Sequence, residues 1–125
     1  MAIKVLVAED DDDIRFALDL LLSLEGYKVV TAEDGEKALR LAKAENPDLI
    51  ITDISMPKLT GVELTRQIRQ DCRLANKKVV AISAYGDRPK QAVLDAGANL
   101  FMAKPIDMNT LLPKIACLTN STVGH

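Results

Sequence analysis

Apolar and polar positions along this chain alternate between two rhythms. Short runs dense in β-branched and apolar residues recur at "IKVLVA" (3–8), "YKVVTA" (27–32), "DLIITD" (48–53), "KVVAIS" (78–83) and "NLFMAK" (99–104), and these predict five strands. Between and after them come longer stretches in which apolar residues return every three or four positions. These predict helices over "IRFALDLLLSLEG" (14–26), "GEKALRLAKAEN" (35–46), "GVELTRQIRQD" (61–71), "RPKQAVLDAGA" (88–98) and "MNTLLPKIACL" (108–118). Gly26 and Pro47 supply stop signals for the first two helices. Pro113 lies either in the first turn of a late-starting final helix or in a bend within it.

The strands are not strictly alternating, so both faces of their sheet are expected to be covered. Five strand–helix units in order then argue for an α/β, doubly wound, parallel sheet. At 125 residues the chain fits one domain with a real core. The expected division is a domain over 1–119 and a C-terminal tail over 120–125. In the first helix, Ile14, Ala17, Leu18, Leu21 and Leu22 form the stripe expected to face the sheet. Phe16, Leu20 and Leu24 form a second stripe, too far round the helix to be buried by the same sheet. It either packs against the last helix or stays exposed as a docking surface.

Composition narrows the class only modestly. Hydrophobic residues make up 48% and charged residues 27%, ordinary for a globular protein. A net charge of -2 gives no case for direct nucleic-acid binding. No apolar run approaches a membrane span, and the start "MAIKVLVAEDD" lacks the form of a signal peptide. Cys72 and Cys117 have no metal-ligand spacing, so a reduced, cytoplasmic protein is expected. The lone histidine, His125, ends the chain, which argues against a histidine-based catalytic centre.

Charge patterning changes the picture more. The first strand runs into five consecutive carboxylates, Glu9 to Asp13. Asp11, Asp12 and Asp13 are accounted for as acidic residues at a helix N-terminus. Glu9 and Asp10 are not, because ligands of open parallel sheets bind beyond the carboxyl ends of the strands. Asp53 ends the third strand there, Ser83 the fourth, and Lys104 with Pro105 the fifth. Carboxylates this close call for a cation. An all-oxygen donor set suits Mg²⁺, which attracts phosphoryl oxygens. Asp53 is then the candidate nucleophile, since an aspartyl carboxylate can form an acyl phosphate. Ser83 and Lys104 are placed to hold the remaining phosphoryl oxygens.

"VLVAEDD", "IITDISMPKLTG", "VVAISA" and "FMAKPID" together resemble the signature segments of the receiver domain of two-component response regulators, in order and over nearly the whole chain. The resemblance implies a flavodoxin-like fold with strand order 2-1-3-4-5. It implies phosphorylation of Asp53 by a sensor histidine kinase or histidine phosphotransfer protein. Mg²⁺ would be held by Asp10, Asp53 and the Ser55 backbone carbonyl, with Glu9 completing the metal site through water. Pro57 and Gly61 would shape the loop after Asp53, and Lys104–Pro105 would be a cis peptide bond. Either Ser83 and Phe101 form a switch, the aromatic filling space vacated by the serine hydroxyl and thereby altering a surface read by a downstream protein, or Phe101 is a fixed core aromatic. Three residues depart from the family's commonest pattern: Glu9 for aspartate, Ser83 for threonine and Phe101 for tyrosine. The stripe Phe16, Leu20, Leu24 becomes a candidate docking surface for the phosphodonor.

The chemistry implied is limited to self-phosphorylation and autodephosphorylation, so the protein is expected to be a phosphoacceptor rather than an enzyme. It would be a stand-alone receiver or part of a larger hybrid protein, monomeric or a weak homodimer, with no membrane partner. Rival classes fare worse. Magnesium-dependent phosphatases of the haloacid-dehalogenase type want a second aspartate where Ser55 stands. A flavin or nucleotide carrier would be repelled by the carboxylates after the first strand. A pseudo-receiver that only binds partners would have no use for the complete acid, hydroxyl and lysine set.

Overall fold

A computed structural model describes residues 2–119; the expected tail, 120–125, lies outside the described residues. Strand and helix alternate as β1 (Lys4–Ala8), α1 (Asp12–Leu24), β2 (Lys28–Ala32), α2 (Gly35–Glu45), β3 (Leu49–Asp53), α3 (Gly61–Gln70), β4 (Lys78–Ser83), α4 (Lys90–Ala96), β5 (Leu100–Ala103) and α5 (Met108–Leu118). All neighbouring strands pair in parallel, in the order β2-β1-β3-β4-β5. Parallel pairing requires a crossover between consecutive strands, and a helix fills each one. The order reverses between β1 and β3, which puts the switch point at their carboxyl ends, where Glu9 and Asp53 stand.

The lack of strict alternation in the strands is explained by two apolar layers. Val5, Val7, Leu49, Ile51, Val80 and Ile82 pack with Leu18 and Leu22 of α1 and Leu111 and Ile115 of α5. The intervening residues Leu6, Ala8, Ile50 and Val79 meet Ala38 and Ala42 of α2 and Leu64 and Ile68 of α3. Val93 of α4 packs with Ala81 and the half-buried Phe101 on that second face.

Helix ends follow their capping chemistry. α1 begins at Asp12 rather than Ile14, because the Asp11 carboxylate accepts hydrogen bonds from the Asp13 and Ile14 N–H groups at 2.9 and 3.1 Å. α4 is shorter than the pattern predicts. Pro89 occupies its N-cap without a side-chain cap bond, and Gly97, at φ 117°, ends it. α5 starts before Pro113, not at it, because Asp107 accepts from the Asn109 N–H at 2.9 Å and nucleates the first turn. Arg69 at the end of α3 donates to the carbonyls of Gly97, Ala75 and Lys77 and to the Asn99 side chain, tying α3 to the starts of β4 and β5.

One expected stripe is corrected. Only Ile14, Leu18 and Leu22 of α1 turn toward the sheet; Ala17 and Leu21 are exposed. α1 packs over β1 and β2 and leaves the rest of that sheet face to α5, so a single line of residues four apart reaches the core. Phe16 (70% exposed), Leu20 (48%) and Leu24 (72%) also face solvent, so the expected alternative of burial against the last helix is not realised.

Candidate functional site

The site is assembled from strand ends. Beyond β1 the ladder continues for one residue, with the Glu9 N–H donating to the Ala32 carbonyl at 3.0 Å, and this draws the Glu9 side chain fully inside. Its Oε2 accepts from the Asp11 N–H at 3.1 Å, and Arg15 Nη1 donates to the Glu9 carbonyl at 2.8 Å. Asp10 follows at the surface. Asp53, the last residue of β3, is 4% exposed. Its Oδ1 faces the Ser55 N–H at 3.4 Å. From beyond β5, Lys104 Nζ reaches Glu9 Oε1 at 2.8 Å and Asp53 Oδ2 at 3.2 Å, while its N–H donates to the Ser83 carbonyl at 2.7 Å. The Lys104–Pro105 peptide bond is cis.

Close packing holds the loop after Asp53. The Gly61 N–H donates to the Ile54 carbonyl at 2.8 Å, and a Cβ on Gly61 would lie 2.4 Å from the Asp53 carbonyl oxygen. Glycine is needed there for space. Pro57 opens a tight turn in which the Leu59 N–H donates to the Pro57 carbonyl at 2.7 Å and Lys58 has φ 70°. Thr60 then caps α3 by accepting from the Glu63 N–H at 3.2 Å.

Glu9, Asp10 and Asp53 each offer an oxygen within 4.8 Å of the other two. Burial, reinforced by the Asp53 charge, pushes Glu9 up to about 7 against the pull of the Lys104 ammonium and the Asp11 N–H. Burial pulls Lys104 down, but Glu9 and Asp53 outweigh it and its pKa is raised. Although Lys104 approaches closely, Glu9 Oε1 receives no well-directed hydrogen bond. A buried carboxylate oxygen with a free lone pair, between two further carboxylates, is a donor set that fits a hard divalent cation such as Mg²⁺. Ser55, exposed just past Asp53, supplies a backbone carbonyl in the same loop.

Ser83 is buried at the end of β4, but its Oγ accepts from the Tyr85 N–H at 3.0 Å; no hydrogen bond joins it to Asp53 among the described residues. Phe101 pairs with Ala81 and Ala103 with Ser83, so Ser83 and Phe101 lie on the same face of the sheet, one strand apart. The outer stripe of α1, Phe16, Leu20 and Leu24, is exposed. Between that helix and the β5–α5 connection runs a groove of about 200 Å³ whose walls include Ala17, Leu21, Ile106, Met108 and Lys104. Sequence reasoning missed Arg15, whose only signal was a cation one turn after the cap. The groove has no such signal, because the helical period alone points Leu21 toward the core.

The fold and site define a flavodoxin-like domain with a carboxylate–lysine centre at its switch point. The response regulator receiver domain model matches residues 5–116. The probable transcriptional regulator ycf27 of Guillardia theta is 38% identical over 120 residues, covering 95% of this chain and 46% of that protein. A putative response regulator from Chloroflexus aurantiacus superposes with a TM-score of 0.91 at 30% identity, covering 96% of this chain and 99% of that one. The receiver domain of the sensor histidine kinase PA1611 from Pseudomonas aeruginosa, with a magnesium ion coordinated in its active-site cleft, gives a TM-score of 0.89 at 27% identity over 97% of this chain and 100% of that one. The chain belongs to the response regulator receiver domain family of two-component systems. It spans about half the length of curated relatives such as ycf27. The expectation of no nucleic-acid partner draws no support from relatives named as transcriptional regulators. No described helix is long and apolar enough to cross a membrane.

Proposed function

We propose that the protein is a phosphoacceptor whose Asp53 takes a phosphoryl group from a phosphohistidine on a sensor kinase or phosphotransfer protein. The observation that carries this reading is the Lys104 ammonium bridging the buried Glu9 and Asp53 carboxylates at 2.8 and 3.2 Å. That arrangement keeps a nucleophilic carboxylate beside a cation able to follow the charge onto a phosphoryl oxygen. In the reaction an Asp53 carboxylate oxygen bonds to phosphorus, the P–N bond breaks, and its electron pair returns to the donor's imidazole. Glu9, Asp10, Asp53 and the Ser55 carbonyl would hold Mg²⁺, which when bound neutralises charge on the phosphoryl oxygens. Lys104 and the Ser83 hydroxyl, once turned from Tyr85, hold the others. Later attack by water returns the free carboxylate, so the chain's own chemistry is self-phosphorylation and autodephosphorylation.

Ser83 and Phe101 then carry the signal. Movement of the hydroxyl toward the phosphoryl group opens space on the face where Phe101 already packs with Ala81 and Val93, and a downstream protein reads the change. The exposed α1 stripe of Phe16, Leu20 and Leu24, beside a groove that includes Lys104 in its wall, suits the donor's helices. We place the protein in the cytoplasm as a monomer or weak homodimer. Incubation with acetyl phosphate and Mg²⁺ beside an Asp53→Asn variant tests the reading by intact mass. The expected result is a gain of one phosphoryl group that needs both Mg²⁺ and Asp53; binding of Mg²⁺ without any gain would favour a partner-binding pseudo-receiver.

A further inference from the structure

The loop that carries Ser55 is strained, and something outside it must hold it. Lys58 is a non-glycine residue at φ 70° at the centre of a three-residue turn closed by the Leu59 N–H to Pro57 carbonyl bond of 2.7 Å. Such turns are rare and costly for a residue with a side chain, and persist where their surroundings over-determine them. The surroundings here are the N-terminus of α2. A Cβ on Gly35 would lie 2.0 Å from the Leu59 carbonyl oxygen and 2.6 Å from the Leu59 Cβ. Gly35 is buried, and its backbone is not in the left-handed region. Glycine is therefore required by contact with Leu59 and not by its own conformation. Beside it, Asp34 uses Oδ1 to accept from the Lys37 N–H at 2.8 Å, capping α2, and turns Oδ2 toward Lys58 Nζ at 3.8 Å.

We propose that Gly35 is a positioning residue for the metal and phosphoryl site: it seats the Leu59 carbonyl, and through the strained turn sets the height of the Ser55 carbonyl relative to the Asp53 carboxylate. This deepens the phosphoacceptor reading and rests on it for its functional arm. The Asp34 side chain is mostly covered, but Lys58 is 60% exposed and the pair is long at 3.8 Å, so it contributes direction more than energy. The close approach at Gly35 dominates, because any Cβ added there would stand well inside ordinary van der Waals separation from the Leu59 carbonyl. A methyl group must therefore push α2 and the loop apart by about an ångström, and a misplacement of that size is enough to cost a catalytic constellation roughly a hundredfold.

The test compares Gly35→Ala with Gly26→Ala, a glycine whose Cβ would meet nothing within 4 Å but whose φ of 94° makes it a control for destabilisation alone. Backbone amide shifts of the metal-free proteins come first. Gly35→Ala should displace the Ser55 and Asp53 amides, and Gly26→Ala should leave them in place while lowering the unfolding midpoint. Titration with Mg²⁺ followed at those amides should then show at least about tenfold weaker binding for Gly35→Ala alone. Shifts confined to α2 and Leu59, or an unchanged Mg²⁺ affinity in a variant whose Ser55 amide has moved, would overturn the proposal. If the unaltered protein failed to bind Mg²⁺, the phosphoacceptor reading would fall. Amide displacement reaching Ser55 would still support the mechanical link, and its absence would still overturn it.

Discussion

Glu9 illustrates how one residue's environment sets a property that its identity conceals. A glutamate ordinarily ionises well below neutrality, yet burial beside Asp53 raises this one to about 7. The folded protein therefore keeps a proton that the unfolded chain releases near pH 4.5, and in that interval the unfolded state binds fewer protons. Stability contributed through Glu9 must then fall as pH rises from about 4.5 to about 7 and level off above it. In EDTA, urea midpoints at about pH 5 and about pH 7.5 should show this loss in the unaltered protein and not in Glu9→Gln. The difference should be on the order of 3 kcal/mol, at about 1.4 kcal/mol for each pKa unit. Equal pH profiles would mean that Glu9 is ionised in the fold throughout. That Glu9, Asp53, Ser83 and Lys104 gather at one edge of the sheet was legible because each ends or closely follows a strand, and strand ends can be counted. Arg15 was not, because its hydrogen bond to the Glu9 carbonyl depends on how the first turn of α1 is cut by the Asp11 cap.

At the scale of elements, periodicity read correctly which segments are helices and misjudged how much of α1 the sheet covers. The period fixes which residues share a face, but the width of the buried arc depends on what lies on either side. Here α5 takes the rest of the sheet face, so Ala17 and Leu21 border a groove in place of the core. The same long-range dependence hid the contacts of Arg69, whose acceptors lie up to thirty positions away. The exposed stripe gives a direct prediction. Phe16→Lys with Leu20→Glu should change stability by no more than about 0.5 kcal/mol, since both side chains already face solvent. Phosphotransfer from a protein phosphodonor should slow at least about tenfold, a loss of about 1.4 kcal/mol in encounter, while uptake from acetyl phosphate stays unchanged. Equal slowing with both donors would place the effect on the acidic site, and no slowing with either would leave the stripe without a role in docking.

Across the whole molecule, the strand order β2-β1-β3-β4-β5 has a temporal meaning. After the first pair forms, every later strand joins an edge already made: β3 adds to β1, β4 to β3, β5 to β4. Pulse-labelled amide exchange during refolding should protect β1 and β3 no later than β5; earlier protection of β5 would contradict this sequence of events. Emerging from a ribosome, the chain would complete its first three strands once Asp53 was free of the exit tunnel. Glu9 and Asp53 would then already face each other while Lys104, some fifty residues further on, had yet to be synthesised. A nascent domain in that state holds two converging carboxylates with no ammonium between them, so its first chance of neutralisation is a proton or a divalent ion from solution.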